Sequence, residues 1–386
     1  MKIACLTTSH APVSTANSIQ VFKACHALAQ GGAEVCLWVS SPPSGASWDE
    51  LSAFYGLRTP FEVRWLPSRP YLRRYDLLLA GVRAARHWGA DALMTWAVQA
   101  AVLGGMFKMP VVYELHDRPT GKLGAWWLQR LAASKSPKRV LMITNALRRV
   151  VEKEFGICFS DSEVQIAPNG IEWDRFEHLP TPMQARQALG LKEMPTAVYT
   201  GHFYTGRGMQ LLCDLAQALP QIQFLWVGGR AMDVEMWRQR TQAFSNVILT
   251  GFVENQRLAL YQAAGEVLLM PYERAIAGSG GGNSAEICSP MKMFEYMACG
   301  RAILSSDLPV LHEVLNEENA VFCPPEDAVM WGRALLSLVE DGERARRLGF
   351  QARRDAQQYT WRARAEGILD WLRWLPGLEQ EMSKKS

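Results

Sequence analysis

At 386 residues, 48% hydrophobic and 20% charged, the chain has material for two folded domains and is too apolar to be disordered, and no short repeat marks it as collagen or coiled coil. No apolar run approaches the roughly 18–20 residues of a membrane-spanning helix, and the start turns polar at Thr7, too early for a signal-peptide core, so the expected location is the cytosol. The net charge of +3 hides an asymmetry: residues 51–150 hold 16 Lys and Arg against 5 Asp and Glu, while 181–386 hold 21 against 23, and a basic region points to an anionic partner.

In chain order, strand-like runs fall at 2–6, 34–39, 62–66, 92–95, 111–114, 140–144 and 163–167. After a break they resume at 196–200, 223–227, 247–249, 267–270 and 302–305. Helical patterns alternate with them, for instance at 19–30, 211–218, 256–264 and 327–340. Such alternation predicts α/β halves with parallel sheets covered on both faces. The pattern falters at 176–195, where Pro180, Pro182 and Pro195 flank one short helix at 183–190, which reads as a linker. The expected domains are therefore 1–180 and 181–360. A last helix at 361–375, with Trp361, Ile368, Leu369, Trp371, Leu372 and Trp374, is expected to pack back across the molecule. In open parallel sheets ligands gather beyond the carboxyl ends of the strands, so two facing halves would form one cleft.

Cysteines 5, 25, 36, 158, 213, 288, 299 and 323 show no C-x-x-C pair, and no H-E-x-x-H occurs among the seven histidines. Buried free thiols are the expectation, with no metal site. No G-x-x-x-x-G-K-[ST] is present. The first strand is followed by Thr7-Thr8-Ser9-His10-Ala11-Pro12 rather than G-x-G-x-x-G, which argues against an ATPase and a nicotinamide dehydrogenase. The run Gly278-Ser279-Gly280-Gly281-Gly282 alone reads as a flexible loop or an anion cradle.

The next segment is more informative. Ser289 reads as an N-cap, Pro290 as the first helical residue, and Gly300 as the helix stop. Free N–H groups and the dipole at such a helix start form an anion site. Lys292 in the first turn is badly placed unless something negative docks there, and Glu295 shares its face. A diphosphate near Lys292 with a ribose against Glu295 fits this arrangement; the alternative is a surface Lys–Glu pair.

On these and further motifs the chain resembles the retaining GT-B glycosyltransferases, specifically family 4, over nearly its whole length. Ser289-Pro290-Met291-Lys292-Met293-Phe294-Glu295-Tyr296-Met297-Ala298-Cys299-Gly300 resembles the family's S-P-x-K-x-x-E-Y-M-A-x-G donor helix. Pro168-Asn169-Gly170-Ile171 resembles the P-N-G segment ending the first domain. Gly201-His202-Phe203-Tyr204-Thr205-Gly206-Arg207-Gly208 resembles the G-R-x-x-x-x-K-G loop, and 246–253, ending at Val253, the loop beside the nucleotide base. Glu114-Leu115-His116-Asp117 matches the H-D pair, and Asn17-Ser18-Ile19-Gln20-Val21 a first-loop variant of one branch.

The resemblance implies two Rossmann-like domains facing across a cleft, a nucleoside-diphosphate sugar as substrate, no cofactor and no metal. It implies donor contacts from Glu295, Lys292, Ser289, His202, Val253 and Glu286, catalytic roles for His116 and Arg207, and acceptor contacts from Asn17 and Ser18. Retention comes from the resemblance alone. Arg207 for Lys keeps the charge and adds bidentate reach, whereas His202 for Arg makes phosphate binding sensitive to pH. The family's E-x7-E pattern would put its first glutamate at Ile287, with Glu286 adjacent. Three residues also have ordinary structural readings: His116 as a hydrogen-bonded strand-end residue, and Asn17 and Ser18 as caps of a helix beginning at Ile19.

The basic region holds Arg64, Arg69, Arg73, Arg74, Arg83 and Arg86 among Trp65, Tyr71, Tyr75 and Trp88. A second stretch holds Trp126, Trp127, Leu128 and Leu131 beside Lys135, Lys138 and Arg139. Arginine with interfacial aromatics can dock on an anionic bilayer, for a carbohydrate or lipid-linked acceptor, or it is a solvated face over an ordinary core. No nucleic-acid module accompanies the charge. The expected function is transfer of a hexose-type sugar to a hydroxyl acceptor. A nucleotide-sugar epimerase or hydrolase, and a non-catalytic sugar-nucleotide-binding subunit, remain the alternatives.

Overall fold

The computed structural model describes residues 1–40, 45–72, 74–276 and 283–375. The glycine run at 278–282, Arg73 and the tail beyond 375 lie outside the described residues. The chain divides into two units, Met1–Pro168 with Trp361–Ser386, and Asn169–Thr360.

The first unit is built on seven strands: β1 (Lys2–His10), β2 (Glu34–Ser40), β3 (Glu62–Leu66), β4 (Ala92–Thr95), β5 (Val111–Leu115), β6 (Lys138–Met142) and β7 (Val164–Ile166). They lie in the order β3-β2-β1-β4-β5-β6-β7, all parallel. The second unit has six: β8 (Thr196–Gly201), β9 (Gln223–Gly228), β10 (Val247–Gly251), β11 (Val267–Met270), β12 (Ala302–Ser306) and β13 (Val321–Cys323). Their order is β10-β9-β8-β11-β12-β13, again all parallel. Each unit is a Rossmann-like layered domain. The strands read as unbroken apolar runs because both sheet faces are covered; Ile3, Ala4, Cys5 and Leu6 of β1 are all fully buried. In the second unit the core gathers around Tyr199, Trp226 and Trp331, each worth roughly 1.5–3 kcal/mol of transfer free energy when buried.

The twelve strand-like runs all appear, within a few residues at their ends. β13 was missed, since Val321-Phe322-Cys323 is too short to show a period. The domain boundary also differs: the chain divides after Pro168 rather than at 180. Asn169 donates its backbone N–H to Ser289 Oγ at 3.1 Å and Ile171 donates to the Tyr359 carbonyl at 2.9 Å, so 169–180 belongs to the second unit. The expected linker is ordered structure: Thr181 and Gln184 form a capping box for the helix Pro182–Leu189, which buries Ala185 and Arg186.

The C-terminal helix Trp361–Arg373 belongs to the first unit. Its Trp361, Ala365, Ile368, Leu369 and Leu372 are buried, while Trp374 is exposed. It packs against the helix Ala16–Gln30 so closely that a Cβ on Gly31 would come within 2.5 Å of Leu369. The cysteines are all unpaired, and Cys158 is exposed rather than buried. In each sheet the strand order reverses once, at β1/β4 and at β8/β11. Such reversals leave a crevice at the carboxyl ends of the strands, the usual place for a ligand.

Candidate functional site

At the carboxyl end of β8 the backbone passes through Gly201, at φ 139°, into the loop 202–208. The helix Met291–Cys299 lies against this point. Its Tyr296 hydroxyl accepts from the Thr200 backbone N–H at 2.8 Å, which pins the helix to the strand end. One turn earlier, Lys292 brings its ammonium over the Tyr199 ring, 3.8 Å from the centroid, and 5.3 Å from that of Tyr272. A Cβ on Gly201 would lie 2.9 Å from that nitrogen. The Lys292 side chain is half-buried, but its ammonium is shielded from solvent and has no hydrogen-bond partner among the described residues. Burial, then the neighbouring Arg207, push its pKa well below the usual lysine value, against an opposing pull from Glu295.

Arg207 closes the same loop. Its guanidinium sits 4.8 Å from the Tyr204 ring and 5.1 Å from the Tyr272 ring, donates to the Tyr204 hydroxyl, and leaves Nε buried without a partner. The aromatic faces hold both cations without neutralising them. Trp237 donates to the Phe203 carbonyl at 3.3 Å and steadies the loop. His202 stacks on Tyr204 with ring centroids 5.4 Å apart. Burial, then Arg207, Lys292 and Arg230, lower its pKa, with Asp233 acting in the other direction. Unpaired, partly desolvated positive groups at a strand-order reversal make this loop and helix start a candidate anion site.

A bound diphosphate would raise the depressed His202 pKa, so binding takes up a proton and affinity for nucleoside diphosphate should strengthen as pH falls from 8 to 6. Each tenfold gain in the imidazole's affinity for its proton strengthens nucleotide binding by up to about tenfold over that range. Titration calorimetry at several pH values should show this trend, and His202→Arg should flatten it; an unchanged slope in that variant would assign the effect elsewhere.

Glu295 does not pair with Lys292. Its Oε2 accepts from Gln262 at 3.0 Å, and Oε1 lies 3.9 Å from an Arg175 nitrogen. The surface Lys–Glu pair considered from the sequence is therefore absent from the described contacts. Ser289 is not the N-cap: Pro290 occupies that position, at φ −69° and ψ 128°, and the helix starts at Met291. The Ser289 hydroxyl instead accepts the Asn169 N–H, and its carbonyl accepts from the Asn169 side chain. Gly300 closes the helix at φ 69°, as expected. Ile287 is buried and Glu286 is exposed on the turn Ser284–Glu286. Val253 is half-buried in the loop after β10. Lys292, Arg207 and His202 thus form one cluster with Tyr199, Tyr204 and Tyr272. Sequence reading missed those tyrosines and Arg175, because nothing in their spacing separates a ring that holds a cation from ordinary core.

In the first unit, His116 follows β5 directly and its Nε2 meets Glu114 Oε1. Burial would raise the Glu114 pKa, but the Arg364 guanidinium and His116 more than offset this and hold it down at about 2. The helix read as beginning at Ile19 starts at Ala16 with Thr15 as its cap, so Asn17 and Ser18 lie inside the first turn. Ser18 is fully buried, its hydroxyl donating to the His10 carbonyl and sharing a 2.6 Å bond with Tyr55. Asn17 remains exposed, donating to Ser9 Oγ at 2.8 Å.

The basic region separates into two parts. Leu128 and Leu131 are core, and Lys138 is buried 2.6 Å from Glu163. Tyr71, Tyr75 and Trp126 are exposed, with Arg69 donating to Tyr71 at 3.1 Å and the Arg130 guanidinium 5.0 Å from the Trp126 ring. Among the described residues no helix is long and apolar enough to cross a membrane, and no three His, Cys, Asp or Glu side chains are grouped to hold a metal.

Comparison with known proteins agrees with this architecture. Residues 18–175 match the family model described as Glycosyltransferase Family 4, and 194–341 that described as Glycosyl transferases group 1. The putative teichuronic acid biosynthesis glycosyltransferase TuaH of Bacillus subtilis (strain 168) is 25% identical over 149 residues, 38% of this chain and 35% of its own. The chain spans about a third of the length of the curated relatives it matches. Sucrose-phosphate synthase from Thermosynechococcus elongatus shares the fold, with a TM-score of 0.73, 18% identity and 100% of both chains covered. HepE of Anabaena, solved in complex with UDP, has a TM-score of 0.73 at 17% identity, covering 97% of this chain and 100% of its own.

Proposed function

We propose that this chain, a GT-B glycosyltransferase by the match of both its halves to family models, moves a hexose-type sugar from a nucleoside-diphosphate donor to a hydroxyl acceptor with retention of configuration. The observation that carries this reading is the pair of buried cations, Lys292 and Arg207, unneutralised beside the start of the helix Met291–Cys299. Departure of a sugar leaves growing negative charge on the diphosphate, and fixed cations with helix N–H groups stabilise that charge without reorganising. With these groups in place the reading needs no metal ion. Glu295, held by Gln262, serves the ribose, with Ser289, His202, Val253 and Glu286 as further donor contacts, and His116 serves the sugar and its leaving group. Asn17, exposed on its first turn, is the acceptor-side candidate; Ser18, fully buried and bonded to His10 and Tyr55, supports the loop beneath it.

Two relatives support the substrate class: HepE was solved with UDP and with UDP-glucose, and TuaH is named for teichuronic acid biosynthesis. The reading therefore extends to cell-surface polysaccharide or glycolipid synthesis in the cytosol. The exposed Tyr71, Tyr75 and Trp126 with Arg69 and Arg130 support peripheral contact with an anionic bilayer that carries a lipid-linked acceptor.

The test begins with thermal melts in UDP, GDP, ADP and TDP sugars, one of which should raise the apparent stability, since a ligand bound to the folded state must do so. With that donor, His116→Ala should lose about 10²–10⁴-fold in transfer. Conversion of the sugar without an acceptor would instead indicate an epimerase or hydrolase. An unchanged biological role in the His116 variant would indicate a binding subunit.

A further inference from the structure

We infer that Glu114 and Arg364 are positioning residues for His116, so that the C-terminal helix supplies part of the machinery assembled at the end of β5. The inference rests on the proposed role of His116 and extends it to Arg364, 250 positions from Glu114 in sequence. Arg364 Nη1 donates to Glu114 Oε2 at 3.0 Å, and its Nη2 lies 2.8 Å from Oε1. The same Nη2 reaches the Ala167 carbonyl at 3.3 Å, tying the fork to the chain just beyond β7. His116 Nε2 completes the set on Glu114 Oε1.

Exposure is graded along this chain of contacts: the side chain of Glu114 is 1% exposed, that of Arg364 6% and that of His116 20%. Only the imidazole is within reach of a substrate. A buried carboxylate held ionised by a bidentate guanidinium can only accept hydrogen bonds. The ring nitrogen facing it must therefore carry the hydrogen, which fixes the Nε2–H tautomer and leaves Nδ1 to meet a substrate hydroxyl or oxygen. Arg364 also offsets the carboxylate charge, so the imidazole is not required to be the counter-ion. A bare Glu114–His116 pair would lack both effects.

The competing view is an ion pair that merely fastens the last helix. Nitrogen-15 imidazole spectra of the full-length protein separate the two views. Wild-type His116 should show the Nε2–H pattern, and Glu114→Gln, isosteric but able to donate, should lose that preference. With the donor identified by the melts, Glu114→Gln and Arg364→Met should lower kcat about 10–100-fold while KM for the nucleotide sugar stays within about twofold. Arg364→Lys should recover part of the rate. An Nδ1–H pattern in the wild type, or variants that lose stability but keep kcat, would overturn the inference. Should Arg364→Met fail to fold, the wild-type spectrum and Glu114→Gln still decide. A protein that shows the expected tautomer but transfers no sugar would refute the transferase reading and leave the positioning of His116 by Glu114 and Arg364 standing.

Discussion

Replacing Lys292 by methionine should give a protein that is more stable without nucleotide and nearly inactive with it. The ammonium lies near the Tyr199 and Tyr272 rings with no hydrogen-bond partner among the described residues, so its charge has lost water and gained two ring faces and the pull of Glu295, which do not make up the loss. Methionine keeps an unbranched stem against Tyr199 and removes the charge. Relief of this kind typically raises stability by about 1 kcal/mol, a few degrees in melting temperature. Function moves the other way. A fixed cation facing a departing diphosphate is worth about 10²–10³-fold in rate, and its loss should appear in kcat/KM for the donor. Paired melts with and without UDP, GDP, ADP and TDP sugars check both halves. If Lys292→Met melts as before and still responds to nucleotide, Lys292 is not part of an anion site.

The second large effect is expected at Gly208, beside Arg207. Gly208 takes φ 71°, and a Cβ there would stand 1.7 Å from the Pro271 carbonyl oxygen. That carbonyl is backbone, immediately after the fully buried Met270 of β11, and cannot swing aside. Gly208→Ala should therefore destabilise by more than about 3 kcal/mol, combining left-handed strain with overpacking. It should also displace Arg207 and abolish nucleotide binding. Gly190 provides the control: it has φ 66° at the end of its helix, with nothing within 4 Å of its Cβ position. Gly190→Ala should cost only the left-handed strain, about 1 kcal/mol. Urea midpoints of the two variants give the comparison, and equal shifts would show that the close approach at Pro271 is not what Gly208 serves.

Much of the architecture was legible because parallel strands buried on both faces leave dense apolar runs, as at 2–6 and 302–305, and because the helices between them carry their own period. The segment 289–300 stood out for a related reason: proline, lysine and glutamate at fixed offsets followed by glycine describe a helix end, and helix ends are local. The capping details were less secure. Ser289 and Asn17 were misplaced by one or two residues because Pro290 and Thr15 compete for the same positions, and only backbone angles decide between them. The linker at 176–195 was misread for the same reason that Ser18 was read as a helix cap or an acceptor contact. Prolines and hydroxyls look solvent-facing in a string, and their burial depends on what folds over them.

Composition and order of residues alone thus determined two α/β halves, the position of the helix after Pro290, and the family to which the motifs point. Tertiary structure decided the partners. It placed Lys292 against Gly201 and Tyr199, closed Arg207 on Tyr272, and brought Arg364 to Glu114 behind His116. The division follows from the range of the forces. Hydrogen-bond periodicity and turn chemistry act over a few residues and are written consecutively, whereas charge, desolvation and ring contacts depend on distance in space, which becomes defined only when the sheets assemble.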